Sequence, residues 1–400
     1  GHVTGVQTCA LPISQVTSLS ISRRRSTWIS YAQLSTFGWV IYSLGPAMVL
    51  LSDEQNTSQV IMSMHTSALA LGTIITGAVA PGFIARWGRG VLLRVAGIGL
   101  AFGTMVLTLA PSTALSLSAT FITGAFAAAA VTTASSFFNH EHGPASPIAL
   151  TEANAGAALA GLLAPLFLGL MVALGYGWRI GMVLGSLAFV LIELFRGPLT
   201  AYSQVAAHHT NTGGPLPRAY WWGWLLVGCT TGSEFIVLAW STQLLRTWGG
   251  LADASAVASA ATFTAGLLCG RLVLGRLARM MDAERLLLLF LIASVLSTLL
   301  FWATSAASVM LGALFLCGLS MSGHWPLGIN RLVKLGENQP DRASALSAYA
   351  TGTAGLFMPV LLGVLATKIE THTAFLLLPT VLGVAIAIVV LRPLHEKETG

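Results

Sequence analysis

Two stretches of the chain repeat one another at a nearly constant distance, and that repeat limits the folds open to it. Gly161, Pro165 and Gly169 form G-x3-P-x3-G, and Gly355, Pro359 and Gly363 form the same pattern 194 residues later. Phe121-x-x-Gly124 recurs as Phe315-x-x-Gly318, again 194 residues on. Gly82-x-Ile84-Ala85-Arg86 recurs as Gly275-x-Leu277-Ala278-Arg279, at 193. Three motifs in one order at one spacing imply two homologous halves of similar size. The chain around them has 400 residues, 55% hydrophobic and only 8% charged, where soluble domains carry roughly 25% charged residues. So few charges cannot cover a soluble protein of this length, and the solvent must be largely lipid. Duplicated halves in such a chain imply a membrane transporter with its site between the repeats.

A helix that crosses a bilayer needs about 20 mainly apolar residues. Twelve stretches qualify: 34–51, 58–80, 91–110, 114–136, 150–174, 180–196, 220–245, 254–278, 286–304, 308–330, 343–366 and 373–391. Their length and the lack of strict alternation predict helices, not a barrel. The expected fold is all-α: twelve transmembrane helices in two pseudo-symmetric six-helix bundles. Val3 to Ile13 reads like the translation of a common short-read sequencing adapter, so residues 1–14 are set aside as an assembly scar. The first bundle then spans 15–196, a polar linker 197–219, the second bundle 220–392 and a tail 393–400. Cys9 falls in the scar. Cys229, Cys269 and Cys317 lie in apolar spans with no C-x-x-C pair, as small core residues do.

Charge sets the orientation. With a cytoplasmic N-terminus, 17 of the 20 basic residues fall at cytoplasmic ends, Arg23 to Arg25, Arg271 and Arg331 among them, and only Arg179, Arg246 and Lys368 fall outside. That is the bias expected of a cytoplasmic (inner) membrane protein with both termini inside. The net charge of +6 is spread over these ends and forms no basic domain, so no nucleic-acid partner is expected. Trp221, Trp222, Trp224 and Trp248 flank the seventh span and suit the interfacial belts.

The loop after the second span reads Arg86-Trp87-Gly88-Arg89, and its counterpart carries Gly275, Arg276 and Arg279. With the paired glycine and proline helices and the Gly177-Trp178-Arg179 turn, the chain from about 30 to 392 resembles the major facilitator superfamily. That family's loop carries an acid just before the first arginine, where this chain has Ala85; in the family the loop is a charge latch between helices. The plainer reading is topogenic positive charge and a tight glycine turn. A narrower pattern, Gly232-x-Glu234 followed by Trp240 and then Gly270-Arg271, is similar to the fucose-permease-like sugar branch. The resemblance implies that the first, fourth, seventh and tenth spans line a central cavity.

Glu234 is the first candidate for chemistry. It lies near the middle of its span, where an ionised acid costs at least ~2.5 kcal/mol. It reads as a proton-coupling acid or a hydroxyl-binding group, or as a protonated acid that only bonds a neighbouring helix. His324 stands beside Trp325 and Pro326 in the tenth span. Its ring can donate, accept and change charge, or it can simply serve a carbonyl freed by the proline. Trp325 and Trp240 offer faces for a solute, as do Tyr42 and Trp39 in the first span; aromatics in membrane helices also pack. Asn154 is a polar candidate in the fifth span. Thr132, Thr133, Ser135 and His65 are weaker ones. Glu152, Glu193 and Arg94 read as snorkelling or paired loop charges, and Asp53 and Glu54 as a solvated outer loop. Gly161, Pro165, Gly169, Gly355, Pro359 and Gly363 have a packing reason: small residues let backbones approach and prolines bend helices.

Metalloprotease, P-loop and nucleophile-elbow signatures are missing from the sequence. His140-Glu141-His142 has no third ligand cluster nearby, and no metal or cofactor is expected. The reading is a monomeric secondary active transporter of a small organic solute, with a proton as coupling ion and alternating access as its cycle. Import of a sugar-like solute and efflux of a drug or metabolite both fit. The rivals are a membrane sensor or scaffold that keeps the transporter fold, and a membrane-embedded enzyme. The orientation has a direct test. A cysteine at Thr212 should react only from the cytoplasmic side and one at Asp53 only from outside; labelling of Thr212→Cys from outside alone would reverse the assignment.

Overall fold

The computed structural model describes residues 21–202, 215–336 and 339–394. The expected scar, the middle of the linker and the end of the tail lie outside the described residues. The chain is helical in this order: α1 (Arg25–Glu54), α2 (Gln59–Leu109), α3 (Thr113–His142), α4 (Ser146–Ala173), α5 (Arg179–Leu194), α6 (Arg218–Thr247), α7 (Asp253–Leu277), α8 (Ala283–Ala303), α9 (Ala307–Met321), α10 (His324–Leu335), α11 (Pro340–Ile369), α12 (Thr371–Ala374) and α13 (Leu377–Leu391).

These are the twelve expected spans. Ten helical runs among the described residues are long and apolar enough to cross a membrane. One of them, α2, holds two spans, because Gly88 at φ 80° and ψ 162° turns the chain between 59–87 and 89–109. The sixteen-residue α5 completes the set. The tenth span is α9 and α10 with a break at Ser322 and Gly323, and the twelfth is α12 and α13. Large apolar side chains such as Ile98, Phe102, Leu187 and Leu296 point outward and exposed, an arrangement that lipid favours and water would not.

Inside each half the helices meet backbone to backbone through glycine, and the meetings repeat at the sequence offset. A Cβ added at Gly72 would lie 2.2 Å from the Phe121 carbonyl oxygen, and one at Gly266 would lie 2.1 Å from that of Phe315. A Cβ added at Gly124 would lie 2.0 Å from the Leu69 carbonyl oxygen, and one at Gly318 would lie 2.0 Å from that of Phe263. Both pairs of partners are 194 residues apart (72 to 266 and 121 to 315; 124 to 318 and 69 to 263). The second and fourth spans therefore cross as the eighth and tenth do.

The same offset relates the contacts between the halves. Gly169 of α4 meets Ala254 and Ala258 of α7, while Gly363 of α11 meets Gln59 and Val60 of α2. Residues 169 and 363, like 60 and 254, are 194 apart, so each half offers its fifth helix to the other's second, as a two-fold axis requires. Gly355 against Ala70 and Gly352 against Ile74 continue the α2–α11 seam. Gly45 of α1 closes on the Leu238 carbonyl of α6. Ser67 Oγ donates to Leu356 O at 2.5 Å, and Thr371 Oγ1 to Gln59 Oε1 at 2.8 Å. The Gly169, Gly363 and Thr371 contacts lie at the end that carries the α1–α2 turn, and the α2–α11 seam runs on to the middle of both helices at Ile74 and Gly352.

At the opposite end the charged groups pair within their own half. Arg23 bonds Glu152, and Arg24 bonds Glu141. Buried Arg196 bonds Glu193 at 2.5 Å and Gln33 Oε1 at 2.5 Å. Arg331 pairs with Glu284 and donates to the Arg392 carbonyl. The contacts between the halves named above thus favour one end, and the charged pairs named at the opposite end stay within their own half. There the face of the first half carries a cavity of about 470 Å³ lined by Trp28, Tyr31, Ser35 and the Arg23–Glu152 pair.

Where a glycine holds two backbones together, a side chain must push them apart. Gly124→Val and Gly318→Val should each lower stability by about 1–3 kcal/mol, the usual cost of overpacking. Gly77 meets nothing within 4 Å, so Gly77→Ala should be neutral or slightly stabilising. Thermal unfolding of the detergent-solubilised protein checks all three, and equal stability of Gly124→Val and Gly77→Ala would contradict this packing.

Candidate functional site

Between the halves, at the level of the first inter-half contact, α1 faces α6. Tyr42 of α1 is half-buried against Gly161 of α4, where an added Cβ would strike its ring at 2.3 Å. In the second half a Cβ added at Gly355 would lie 3.0 Å from the Phe235 ring, so Tyr42 stands where the repeat has an apolar ring. Next to Phe235 is Glu234, half-buried on α6. Glu234 lies within electrostatic reach of Tyr42 across the halves and of Arg271 on α7. These three groups bring an acid, a hydroxyl and a cation together from α6, α1 and α7.

Arg271 was expected among the topogenic arginines at a helix end. It lies inside α7, which continues to Leu277, and its side chain is exposed on that helix. An arginine at that depth offsets part of the cost of a buried carboxylate. The signal was available: Arg271 precedes Arg276 by five residues, more than a turn deeper in an apolar helix.

The remaining candidates lie elsewhere. Trp240 is fully buried, and its indole N–H donates to the Pro359 carbonyl at 3.1 Å. It ties α6 to α11 at Pro359. Trp39 donates to Gly181 O at 2.9 Å and packs on Phe167, fastening α1 to α4 and α5. His324 is buried in the second bundle, with Nε2 3.0 Å from Ser294 Oγ on α8. Its neighbours Ser294, Ser297 and Ser320 form a seam of hydroxyls between α8, α9 and α10. Trp325, one residue on, is exposed. Asn154 is exposed on α4 and bonds back to Leu150 O of its own helix at 2.9 Å. His65 bridges α2 and α3 through Ser116 Oγ at 2.8 Å.

In the loop motif Arg86 is exposed, while Arg89 is buried and donates to Ser136 Oγ of α3 at 2.8 Å. Gly88 supplies the positive φ that the turn needs. Gly275, Arg276 and Arg279 lie exposed at the end of α7 and just beyond. Asp53 and Glu54, expected in a solvated outer loop, close α1 with exposed side chains, and each is ion-paired, to Arg246 and Arg179.

The Trp240 bond separates packing from solute contact. Trp240→Phe keeps most of the ring but leaves the buried Pro359 carbonyl without that donor, at a cost of about 1–3 kcal/mol. The variant should unfold at lower temperature and keep solute affinity. Lost affinity with unchanged stability would place the indole in the solute site.

Residues 223–400 match the family model of the Major Facilitator Superfamily. No curated protein matches the chain. Similar solved structures include a bacterial homologue of the human lysosomal transporter Spinster in an inward-facing conformation. It is 12% identical, with 93% of this chain and 97% of that one covered at a TM-score of 0.75. The nucleoside transporter NupG is 11% identical over 92% of this chain and 99% of its own, at 0.75. A D-xylose–proton symporter is 13% identical over 92% and 97%, at 0.73. The second half of the chain thus matches the family model of the Major Facilitator Superfamily, and over nine tenths of its length the chain shares the fold of these solved transporters; it is a multi-pass membrane protein.

Proposed function

We propose that the chain is a secondary active transporter that moves a small organic solute across the cytoplasmic membrane by alternating access, coupled to protons. The observation that carries the reading is Glu234, an acid midway along a membrane helix at the interface of the halves, with Arg271 and Tyr42 in electrostatic reach. An ionised carboxylate at such depth is tolerated where a cavity or a cation serves it, and a proton can replace that cation. Deprotonated, Glu234 is balanced by Arg271. Protonated, it frees Arg271 and becomes a donor for a solute oxygen. Tyr42 adds a hydroxyl from the other half, so a solute held there would touch both.

Orientation follows from charge. The joined end carries Arg179, Arg246 and Lys368 and is assigned to the outside. The arrangement is then closed outside and open to the cytoplasm, one of the two states such a cycle requires. The likeness to transporters of sugars and nucleosides supports a small polar solute.

The test is Glu234→Gln, which keeps shape and most hydrogen bonding but cannot change charge. In proteoliposomes it should reduce proton-driven accumulation to the level of protein-free vesicles and leave counterflow exchange of a bound solute in place. Unchanged pH-driven uptake by a well-folded variant would place coupling elsewhere, with His324 the next residue to replace. A thermal-shift screen against sugars, nucleosides, organic acids and cationic drugs supplies the solute for the assay.

A further inference from the structure

Asp53 and Glu54 close α1 at the joined end, and their carboxylates are held in opposite directions. Glu54 is tied to its own half. Its Oε2 lies 2.6 Å from Arg179 Nη2, and its Oε1 accepts the Trp178 indole N–H at 2.9 Å. Arg179 is fixed in turn by donating to Thr108 O at 2.9 Å and by lying over the Trp178 ring at 4.7 Å. With Glu54 anchored, Asp53 is presented to the other half. Its Oδ2 lies 2.6 Å from Arg246 Nη2 at the end of α6. Arg246 has a second carboxylate in its own half: Asp253 Oδ1, the first residue of α7, 2.8 Å from Nε.

From this geometry we propose that Arg246 is a partner-exchanging latch. It bonds Asp53 and Asp253 together when the halves are closed at this end, and it keeps Asp253 alone when they part. The proposal rests on the alternating-access reading. Its physical point is the cost of opening. Breaking a charge pair by removing one partner strands the other charge, and the penalty grows with burial. Only 19% of the Arg246 side chain is exposed, against 55% for Asp53 and 51% for Asp253. Asp253 spares the less exposed cation that penalty, while Asp53 goes into water. The latch also sits on the helices that must separate, because α1 and α6 meet two turns deeper, where Gly45 touches Leu238.

A latch with a resident partner makes a prediction of sign that a plain ion pair does not. Asp53→Asn removes the bond that only the closed state makes. Asp253→Asn removes the partner that the open state depends on, and leaves Arg246 with Asp53 alone. The two neutralisations should push the equilibrium in opposite directions. The measurement uses the full chain in nanodiscs, in a cysteine-free background. One spin-label pair spans the joined end at Asn56 and Ser305, and another spans the opposite end at His140 and Lys334. Screening keeps exposed pairs weak, so Asp53→Asn should raise the population with a long Asn56–Ser305 distance by about two- to fivefold, and Asp253→Asn should lower it by a similar factor. Asp53→Glu, which keeps the charge, should stay near wild type. Shifts of the same sign in both aspartate variants, or no shift in either while solute moves both distances, would overturn the latch. Distances that never move, with or without solute, would overturn the alternating-access reading and the latch with it.

Discussion

Lipid gives two apolar helices no hydrophobic reason to associate, and the rest of this structure depends on how that deficit is met. Here it is met by bringing backbones into contact at glycine. Gly72, Gly124, Gly266 and Gly318 cross the paired helices inside each half, and Gly45, Gly169 and Gly363 join the halves. At all but Gly363, where it would meet the Ser63 hydroxyl, even a methyl group would collide with a carbonyl or a helix backbone. Dispersion between closely fitted surfaces then does in lipid what exclusion from water does in a soluble core. Because it acts only at short range, the fold tolerates little change at the crossings and much on the lipid-facing sides.

Charge divides the two ends of the molecule. At the joined end Asp53 reaches Arg246 of the other half. At the opposite end Arg196, Glu193 and Gln33 form a buried cluster within the first half, and Arg331 with Glu284 forms one within the second. A charge satisfied inside its own half neither holds the halves together nor resists their parting. The joined end, by contrast, is held by three helix seams and a solvent-exposed ion pair.

How much of this was legible in the sequence depended on whether the physics was periodic. The spacing of Gly161, Pro165 and Gly169 and its repeat at Gly355, Pro359 and Gly363 could be read because a close crossing admits few residue types. The span count followed from bilayer thickness. Which face of a helix turns inward was harder to read, since a helix in lipid is apolar on every side and has no amphipathic stripe to reveal it. Trp240, Trp39 and His324 therefore read equally well as solute contacts or as packing. In the structure all three meet a polar partner on a neighbouring helix, as polar groups in hydrocarbon must. Arg271 looked like a helix-end charge because helix ends are the least certain part of a sequence reading. The Asp53–Arg246 pair joins residues 193 positions apart, and no local pattern announces such a contact.

The position of the closing contact bears on the chemistry beside it. On α6, Leu238 touches Gly45 and Glu234 lies four residues earlier, one helical turn or about 6 Å toward the open end. On α1, Tyr42 lies three residues from Gly45 on the same side. The acid and the hydroxyl therefore sit about one helical turn from the Gly45–Leu238 contact that seals the halves together. If the halves rock about this level, the seal need pass only one turn of helix to transfer the same two groups to the other face of the membrane. A single acid can then meet protons from both sides without moving along its own helix. That places the demand on the seal: it must be tight enough to exclude water at Gly45 and Leu238, yet narrow enough to be given up in one step.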